Sequence, residues 1–353
     1  MEDFTKSKTM VFPRVVRVGH GVLEEVGDVL RELSVRDDVL VVSGARTRRL
    51  AGERALGVVQ KAGYQADLVE IHGATLADVA VAEAAGRKAK PQVVLGVGGG
   101  GVIDVAKLAA FRLGVPYVSV PTSASHDGIT SPRASIKEER GNASKQASTP
   151  MAIVADTEII ARAPYRMLAA GCADAISNST AVLDWKLAHR LRGEEYSSFA
   201  AVLAQTAADM VITNAEVIRP GLEESAWLVV KSLIVSGVSM SVAGSSRPAS
   251  GSEHMFSHTL DQLAPGRAYH GEQVGLGTIM MMYLHGGDWR SVRDALHAVG
   301  APTTAEKLGV SREVVVEALC KAHLIRPDRY TILGDKGLSR EAAEELVRVT
   351  GVA

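Results

Sequence analysis

The sequence predicts an α/β domain with a parallel sheet at the N-terminus, followed by an all-α domain at the C-terminus. Two observations support this fold class. Short apolar, β-branched runs alternate with helical patterns as far as about residue 155, which is typical of a parallel sheet covered on both faces. From Ala163 to Ala353 the pattern changes to alanine- and leucine-rich helical segments with almost no strand. We therefore expect a Rossmann-like dinucleotide-binding domain at residues 1–158, a helical domain at residues 159–353, and a ligand cleft between them.

The predicted elements follow the chain in order, and helices separate most of the strands. The strands are expected at Arg14–Val18, Asp38–Ser43, Ala66–Ile71, Gln92–Val97, Pro116–Val120 and Ala152–Ala155. The helices between them are expected at Val22–Leu33, Thr47–Lys61, Leu76–Lys88 and Val102–Ala110. The stretch Pro121–Pro150 is rich in Ser, Thr, Gly, Pro and charge, so it is expected to be a loop or an irregular hairpin.

Composition excludes several classes of protein. The 353 residues are 46% hydrophobic and 22% charged with net charge −1, which argues against nucleic acid as a partner. Only Cys172 and Cys320 are present, which indicates no disulfide framework and a reducing cytoplasm. The N-terminus MEDFTKSKTM does not resemble a signal peptide, and no apolar stretch approaches the roughly 18 residues needed to span a bilayer. We expect a cytoplasmic protein that acts on a small molecule.

The most informative stretch is the strand Gln92–Val97 followed by four glycines, Gly98–Gly101, and a helix. Such a turn presents bare backbone N–H groups and a positive helix end, which favour an anionic diphosphate. Gly96, Gly98 and Gly101 formally satisfy G-x-G-x-x-G, but they lie in the fourth strand–helix unit, and the acidic residue expected about twenty positions later is missing. The pattern favours nucleotide binding outside the ordinary Rossmann position. A tight turn without a ligand is the alternative.

The turn after the second strand reads Ser43-Gly-Ala-Arg46-Thr47 and has no carboxylate for a ribose 2′-hydroxyl. Ser43, Arg46 and Thr47 could accept a 2′-phosphate, so we expect NADPH to be used as well as NADH. A solvated charge at Arg46 is the alternative interpretation.

Polar residues also follow the fifth strand, in Thr122-Ser-Ala-Ser-His-Asp-Gly128. The hydroxyls of Thr122, Ser123 and Ser125 suit hydrogen bonds to a nicotinamide or ribose, and Asp127 could bind substrate hydroxyls. Ordinary turn chemistry would also produce this run.

A metal site is predicted in the helical domain. His254 and His258 are spaced i, i+4 on one helix face, His270 follows at the start of another helix, and Asp174 lies in an apolar helical context. One carboxylate and two or three histidines from separate helices could form an open Zn²⁺ site. Spacing alone leaves open which of the three histidines bind. Structural or surface histidines are the alternative.

Several motifs together resemble a known family. Gly98-Gly-Gly-Gly-Val-Ile-Asp104-Val-Ala-Lys107 is similar to an element of the superfamily of iron-containing alcohol dehydrogenase, glycerol dehydrogenase and dehydroquinate synthase. Within it, PTSASHDGITSPRASI, GCADAISN, SGSEHMFSHTLD and YHGEQVGLG closely resemble archaeal sn-glycerol-1-phosphate dehydrogenases. The likeness runs over roughly residues 10 to 350.

The resemblance implies roles for individual residues. It implies Asp174, His254 and His270 as zinc ligands, and Asp127, Asp174 and His258 as substrate contacts. The catalytic residues that it implies all lie in the helical domain: Asp174, His254, His258 and His270. The implied cofactor contacts are Gly98, Gly99, Gly100, Gly101, Val102, Ile103, Asp104, Thr122, Ser123, Ala124, Ser125 and Ser131.

The implied activity is reduction of dihydroxyacetone phosphate with NADH or NADPH, for the glycerophosphate backbone of archaeal ether lipids. One Zn²⁺ per subunit would polarise the carbonyl, and a proton would arrive through water or His258. The stereochemistry comes from the resemblance alone. We expect a homo-oligomer, since apolar surface at Trp227–Val242 and Ile279–Tyr283 could be core or subunit interface.

Two departures from the family pattern stand out. Val102 replaces a residue that is often Ser or Thr in relatives. The stretch from Lys137 to Lys145 shows no unmistakable phosphate clamp, which leaves Lys145 and Arg133 as weak candidates.

Three other functions remain as alternatives. A glycerol dehydrogenase would use an unphosphorylated polyol. A dehydroquinate synthase-like lyase typically has Glu in place of Asp174 and several phosphate-binding lysines. A non-catalytic nucleotide- and zinc-binding regulator is less favoured, because the whole set of polar candidate site residues is intact.

Overall fold

The computed structural model describes residues 7–138 and 141–353; the first six residues, on which the signal-peptide prediction partly rests, lie outside them. The strands are β1 (Val15–Gly19), β2 (Val39–Gly44), β3 (Ala66–Ile71), β4 (Val93–Gly98), β5 (Tyr117–Pro121), β6 (Arg133–Glu138), β7 (Gly141–Gln146) and β8 (Ala152–Asp156). Six of them form one sheet in the order β1-β8-β5-β4-β2-β3, and every pairing in it is parallel. The predicted fold class is confirmed.

The central strands β4, β5 and β8 are buried along their whole length, and β2 is buried except at its last residue. A strand buried on both faces must be apolar throughout rather than alternating, which is why the sequence located these strands to within two residues. The edge strands β1 and β3 are only partly buried.

The α-helices pack on both faces of the sheet and then form the C-terminal half alone. They are α1 (Val26–Glu32), α2 (Ala45–Thr47), α3 (Glu53–Lys61), α4 (Leu76–Ala89), α5 (Gly100–Leu113), α6 (Thr157–Ala161), α7 (Tyr165–Arg192), α8 (Ser198–Asn214), α9 (Glu223–Ala243), α10 (Ser252–Leu263), α11 (His270–Leu284), α12 (Trp289–Ala298), α13 (Ala305–Leu308), α14 (Arg312–Lys321) and α15 (Arg340–Thr350). No strand occurs in residues 157–353, all of which are described.

Two predicted elements differ in detail. The helix expected at Thr47–Lys61 is interrupted by a π-helical turn at Arg48–Gly52, which apolar periodicity does not distinguish from an α-helical turn. Part of the stretch expected to be irregular forms a regular antiparallel hairpin of β6 and β7. Residues 139 and 140 at its tip are outside the described part.

The expectation that no apolar stretch approaches membrane-spanning length is wrong for α9. Among the described residues, one helix, α9, is long and apolar enough to cross a bilayer by length and composition. Of its most apolar window, however, 67% is buried inside the fold. Together with Ile279–Met282 of α11, much of it lies in the helical core, while Trp227 and Tyr283 remain partly exposed.

The sheet order creates a crevice between β2 and β4. The chain leaves β2 toward β3 at one edge, whereas it leaves β4 toward β5 on the other side. Adjacent parallel strands whose connections diverge leave an opening at their carboxyl ends, where α/β proteins bind ligands. The turn after β2 and the glycines after β4 therefore border the same opening.

Candidate active site and metal centre

Three helices of the C-terminal half bring one carboxylate and two imidazoles together. Asp174 lies in α7, His254 in α10, and His270 is the first residue of α11. Asp174 Oδ1 lies 3.9 Å from His254 Nε2 and 3.8 Å from His270 Nε2. All three donor atoms lie within 4.8 Å of one another. One oxygen and two nitrogen ligands with room for a fourth fit an open Zn²⁺ site.

Close helix packing holds these donors together. A side chain at Gly271 would collide with the backbone carbonyl of Ala170, so α11 lies directly against α7 next to His270. The start of α10 is fixed by Asp184 of α7, whose Oδ2 accepts hydrogen bonds from the N–H (2.7 Å) and hydroxyl (2.6 Å) of Ser252. His254 therefore begins from an anchored turn.

A buried carboxylate orients His254. Glu253 Oε1 lies 2.8 Å from His254 Nδ1, and Glu253 Oε2 accepts a hydrogen bond of 2.9 Å from Thr180. Burial raises the pKa of Glu253, but the hydrogen bond and charge of His254 bring that pKa below its usual range. An ionised carboxylate only accepts, so Nδ1 of His254 carries the proton and Nε2 keeps its lone pair for a metal.

A chain of neutral groups orients His270 in the same way. Gln273 Nε2 donates to Asp261 (3.0 Å), which turns Gln273 Oε1 toward Ser257. The Ser257 hydroxyl donates to that oxygen at 2.8 Å, so Ser257 Oγ accepts from His270 Nδ1 at 3.2 Å. His270 Nε2 is thus left as the free donor atom.

Asp174 connects the helical half to the loop after β5. Its Oδ2 accepts the backbone N–H of Asp127 at 2.8 Å, while Asp127 Oδ2 accepts the hydroxyl of Ser236 at 2.8 Å. Burial, followed by the charge of Asp127, raises the pKa of Asp174 well above its usual range. Burial, followed by the charge of His254, lowers the pKa of His270 well below its usual range. A divalent cation would offset this unfavourable burial of the carboxylate charge.

The two histidine donors face a cleft of about 1410 Å³ that reaches the glycine turn. The cleft is bordered by the turn after β2, by Gly99–Gly101, and by His254 and His270. A side chain at Gly100 would collide with the imidazole of His126 and force that ring to move. The first N–H groups of α5 have no partner within the helix and point to this opening, which suits a diphosphate.

The structure distributes the predicted cofactor residues unequally around the cleft. Those lining it are Gly99, Gly100, Gly101, Val102, Asp104, Ser123, Ser125 and Ser131. Gly98, Ile103, Thr122 and Ala124 lie outside the lining, and Ile103 is part of the hydrophobic core below the sheet. The Asp104 carboxylate accepts a hydrogen bond of 3.1 Å from Lys107.

We expected Ser43, in the turn after β2, to accept a 2′-phosphate, but its hydroxyl is not available. It is buried, and its hydroxyl donates to the carbonyl of Val97 at 2.8 Å. Arg46 and Thr47 do line the cleft.

His258 lies beside the donor cluster without joining it. Its ring centroid is 5.8 Å from that of His270, and its buried Nδ1 has no hydrogen-bond partner within the described residues. Burial, followed by the charge of Arg326, lowers the pKa of His258 to about 3, which keeps the imidazole neutral. Of the weak phosphate candidates, Lys145 pairs with Glu138 at 2.5 Å, and Arg133 lines the cleft.

Sequence reasoning missed several residues that hold this site together. Glu253 and Ser257 stand next to the histidines in sequence, but nothing in the spacing indicated their contacts. Asp184, His126 and Arg326 come from distant segments and are brought in only by folding.

Comparison with known proteins shows the family to which this chain belongs. The family model of the iron-containing alcohol dehydrogenases matches residues 17–164. The glycerol-1-phosphate dehydrogenase [NAD(P)+] of Methanothermobacter thermautotrophicus is 56% identical over 345 residues, which cover 96% of this chain and 97% of that protein. The enzyme of that name from Methanosarcina mazei is 56% identical over 346 residues, covering 98% of this chain and 97% of the relative.

Solved structures show the same fold at lower identity. Glycerol dehydrogenase from Schizosaccharomyces pombe superimposes with a TM-score of 0.80 at 22% identity, over 99% of this chain and 92% of that chain. NADH-dependent butanol dehydrogenase from Thermotoga maritima gives 0.75 at 17% identity, over 98% of each chain.

The chain combines a parallel sheet of the nucleotide-binding type with a helical half that carries an Asp-His-His cluster. This combination defines the iron-containing alcohol dehydrogenase class. Within that class the chain belongs to the glycerol-1-phosphate dehydrogenase family.

Proposed function

We propose that the chain catalyses the reversible NAD(P)H-dependent reduction of dihydroxyacetone phosphate to sn-glycerol 1-phosphate, which supplies the glycerophosphate backbone of archaeal membrane lipids. Near-full-length identity of 56% to enzymes named for this product supports the proposal. The observation that carries it is a single cleft that has His254 and His270, clustered with Asp174, on one side and the glycine turn on the other.

The residues present fit both cofactors. Asp174, His254 and His270 would hold Zn²⁺, and the N-terminus of α5 with Ser123 and Ser125 would hold the dinucleotide. When bound, zinc supplies a Lewis acid for a carbonyl oxygen, and the reduced nicotinamide supplies the hydride.

The protein's own groups position the substrate. The Asp127 carboxylate is anchored by Ser236 and borders the cleft, where it can accept a hydrogen bond from a substrate hydroxyl. His258 is neutral, so it can exchange hydrogen bonds with the substrate without introducing a charge. With His258 neutral, the proton that the product oxygen acquires would come from water in the open cleft, rather than from a stored imidazolium.

Replacing Glu253 with glutamine should weaken zinc binding about 10- to 100-fold, because the amide no longer fixes the protonated tautomer of His254. Zinc affinity can be measured by competition with a chromogenic chelator. Glu317→Gln, at an exposed carboxylate paired with Lys321, is the control and should bind zinc as the unmodified protein does. Equal affinity in Glu253→Gln would contradict the assigned role of Glu253.

Both coenzymes should be used, with KM values that differ by less than about 10-fold, since Arg46 faces the cleft and no carboxylate follows β2. Arg46→Ala should raise the KM for NADPH about 10-fold and leave the KM for NADH unchanged, because it removes a charged hydrogen bond to the 2′-phosphate. The exposed neighbour Arg49→Ala is the control. A strict preference for NADH in the unmodified protein would refute this prediction.

The proposed activity is tested by following NADH oxidation with dihydroxyacetone phosphate, followed by chiral analysis of the product. We expect turnover and the sn-1 product. Faster turnover of glycerol than of glycerol 1-phosphate in the reverse direction would favour a glycerol dehydrogenase instead. No turnover of dihydroxyacetone phosphate with NADH, and none of glycerol or glycerol 1-phosphate with NAD+, would favour a non-catalytic regulator.

We further propose a cytoplasmic homo-oligomer, with a dinucleotide-binding domain at residues 1–158 and a metal- and substrate-binding domain at residues 159–353. Cys172 and Cys320 are both free thiols, which is consistent with a reducing compartment. Phe199 and Val202 of α8 are 56% and 63% exposed, which suits a subunit contact. The last strand of the sheet ends at Asp156, close to the proposed boundary.

A further inference from the structure

Two neighbouring arginines without acidic partners lie at the cleft, Arg326 in its lining and Arg329 in an adjoining cavity. Arg326 and Arg329 lie in the turn after α14, where the N–H of Arg329 donates to the carbonyl of Arg326 at 2.9 Å. Both line a second cavity of about 760 Å³. Arg133, His258 and Arg326 are among the residues that border both this cavity and the main cleft, so the two spaces meet beside the metal donors.

The hydrogen bonds of these two arginines leave their charges uncompensated. Arg326 Nη1 donates to Ser250 Oγ at 3.1 Å, whereas Arg329 donates to Ser250 O at 2.6 Å and to Ser246 Oγ at 3.1 Å. Within residues 7–138 and 141–353, every hydrogen-bond acceptor of the two guanidinium groups is therefore a neutral oxygen. Nearby Arg247 provides the contrast, because both oxygens of Glu194 pair with it.

Burial of each arginine's charge is energetically unfavourable, and a bound anion would offset this. Burial lowers the pKa of Arg326, and burial followed by the charge of Arg326 lowers the pKa of Arg329 to about 9. Desolvated cations without counter-charges are unfavourable, and a bound anion restores the balance. Arg133 adds to the positive field, although its own guanidinium is occupied by Ser144 and Gln146 of β7.

We propose that Arg326 and Arg329 bind the phosphate of the substrate, with Arg326 in direct contact. This inference rests on the proposed function. Arg326 uses one of its five N–H donors in the described structure, which leaves a fork suited to a phosphomonoester dianion. His258 shares the cavity lining with both arginines, and its ring centroid is 5.8 Å from that of His270, so it would contact the middle of the three-carbon substrate.

This placement explains how the site would distinguish phosphorylated from unphosphorylated substrates. Dihydroxyacetone has the same carbonyl and hydroxyl groups but nothing to compensate the two arginine charges. The arginines would then act on specificity and leave the reduction step itself unchanged.

The test compares kcat/KM for dihydroxyacetone phosphate and dihydroxyacetone in the zinc-loaded protein and in Arg326→Ala, Arg326→Gln and Arg329→Ala. We expect the value for dihydroxyacetone phosphate to fall about 100-fold in the Arg326 variants, while that for dihydroxyacetone changes less than about 3-fold. Arg348→Ala removes an arginine with 67% side-chain exposure in α15 and should change neither value. The KM for NADH should stay constant in all variants.

A second readout does not depend on turnover. With NADH at saturation, inorganic phosphate should raise the Tm of the unmodified protein and fail to raise that of either Arg326 variant. Failure of the unmodified protein to reduce dihydroxyacetone phosphate would reject the proposed function and leave this readout to test the arginines. Normal turnover with an unchanged substrate ratio in the variants would overturn the arginine proposal alone. A raised KM for NADH with that ratio unchanged would overturn it as well, by assigning the arginines to the coenzyme.

Discussion

Replacement of His254 with alanine is expected to lower kcat/KM for dihydroxyacetone phosphate by at least about 1,000-fold. The substitution removes one of three donors that lie within 4.8 Å of one another, so zinc would be lost or misplaced. Lewis-acid stabilisation is worth several kcal/mol, and about 4 kcal/mol corresponds to a factor of about 1,000 in rate.

Coenzyme binding should survive the same substitution. The glycine turn belongs to the sheet half, and His254 makes no contact with it in the hydrogen bonds of the described residues. NADH affinity, measured by fluorescence, should therefore change less than about 3-fold, as an energy difference well below 1 kcal/mol requires. His20→Ala, at an exposed histidine paired with Glu223, is the control. Retained activity together with lost NADH binding would overturn the metal assignment.

The largest effect on stability is expected for Lys107→Met. Lys107 is fully buried, and its ammonium donates to Asp104 Oδ1 (3.1 Å) and to the carbonyls of Gly128 and Arg133, both at 2.6 Å. Methionine keeps the packing volume but leaves a buried carboxylate and two carbonyls without their partner. The free energy of unfolding should fall by about 3–5 kcal/mol, as observed when a buried pair loses one member.

Urea unfolding monitored by circular dichroism measures this difference. Lys321→Met makes the same change in an exposed pair with Glu317 and should alter stability by less than about 1 kcal/mol. Adding Asp104→Leu to Lys107→Met should recover part of the loss, since the uncompensated carboxylate is then gone. A Lys107→Met protein as stable as the Lys321→Met protein would contradict the structural role of this buried ion pair.

The sheet could be predicted because its central strands are buried on both faces and must be continuously apolar. The glycine turn was predicted on a different ground, the exposed backbone N–H groups that suit a diphosphate. The structure adds a second reason for glycine, since a side chain at Gly100 would collide with the imidazole of His126. The helical half was predicted as a class, but the nature of α9 was not. The apolar length of α9 was underestimated. A helix of this length and composition is compatible with burial by neighbouring helices as well as with burial in lipid.

The candidate metal site was predictable only in part. The i, i+4 spacing of His254 and His258 left three histidines equivalent, and the resemblance to a family selected His254 and His270. The structure brings those two together with Asp174 and leaves His258 apart. The packing of α7, α10 and α11 determines which histidines come together, because local sequence does not encode the angles at which these helices cross.

The supporting contacts could not be predicted at all. Ser257 orients His270 only because the Ser257 hydroxyl donates to Gln273, which is itself held by a hydrogen bond to Asp261. Arg326 and Arg329 lie in the turn after α14 and line the cavity that adjoins the cleft, without any motif of their own. Such residues are identified by which charges remain unpaired after folding.

The central claim is that one cleft unites a zinc ion on the helical half with a nicotinamide on the sheet half. The most direct measurement is the rate of NADH oxidation with dihydroxyacetone phosphate before chelation, after removal of metal, and after addition of one equivalent of Zn²⁺. The rate should vanish on chelation and return with zinc, while NADH remains bound throughout. An undiminished rate in protein shown to contain no metal would contradict the claim.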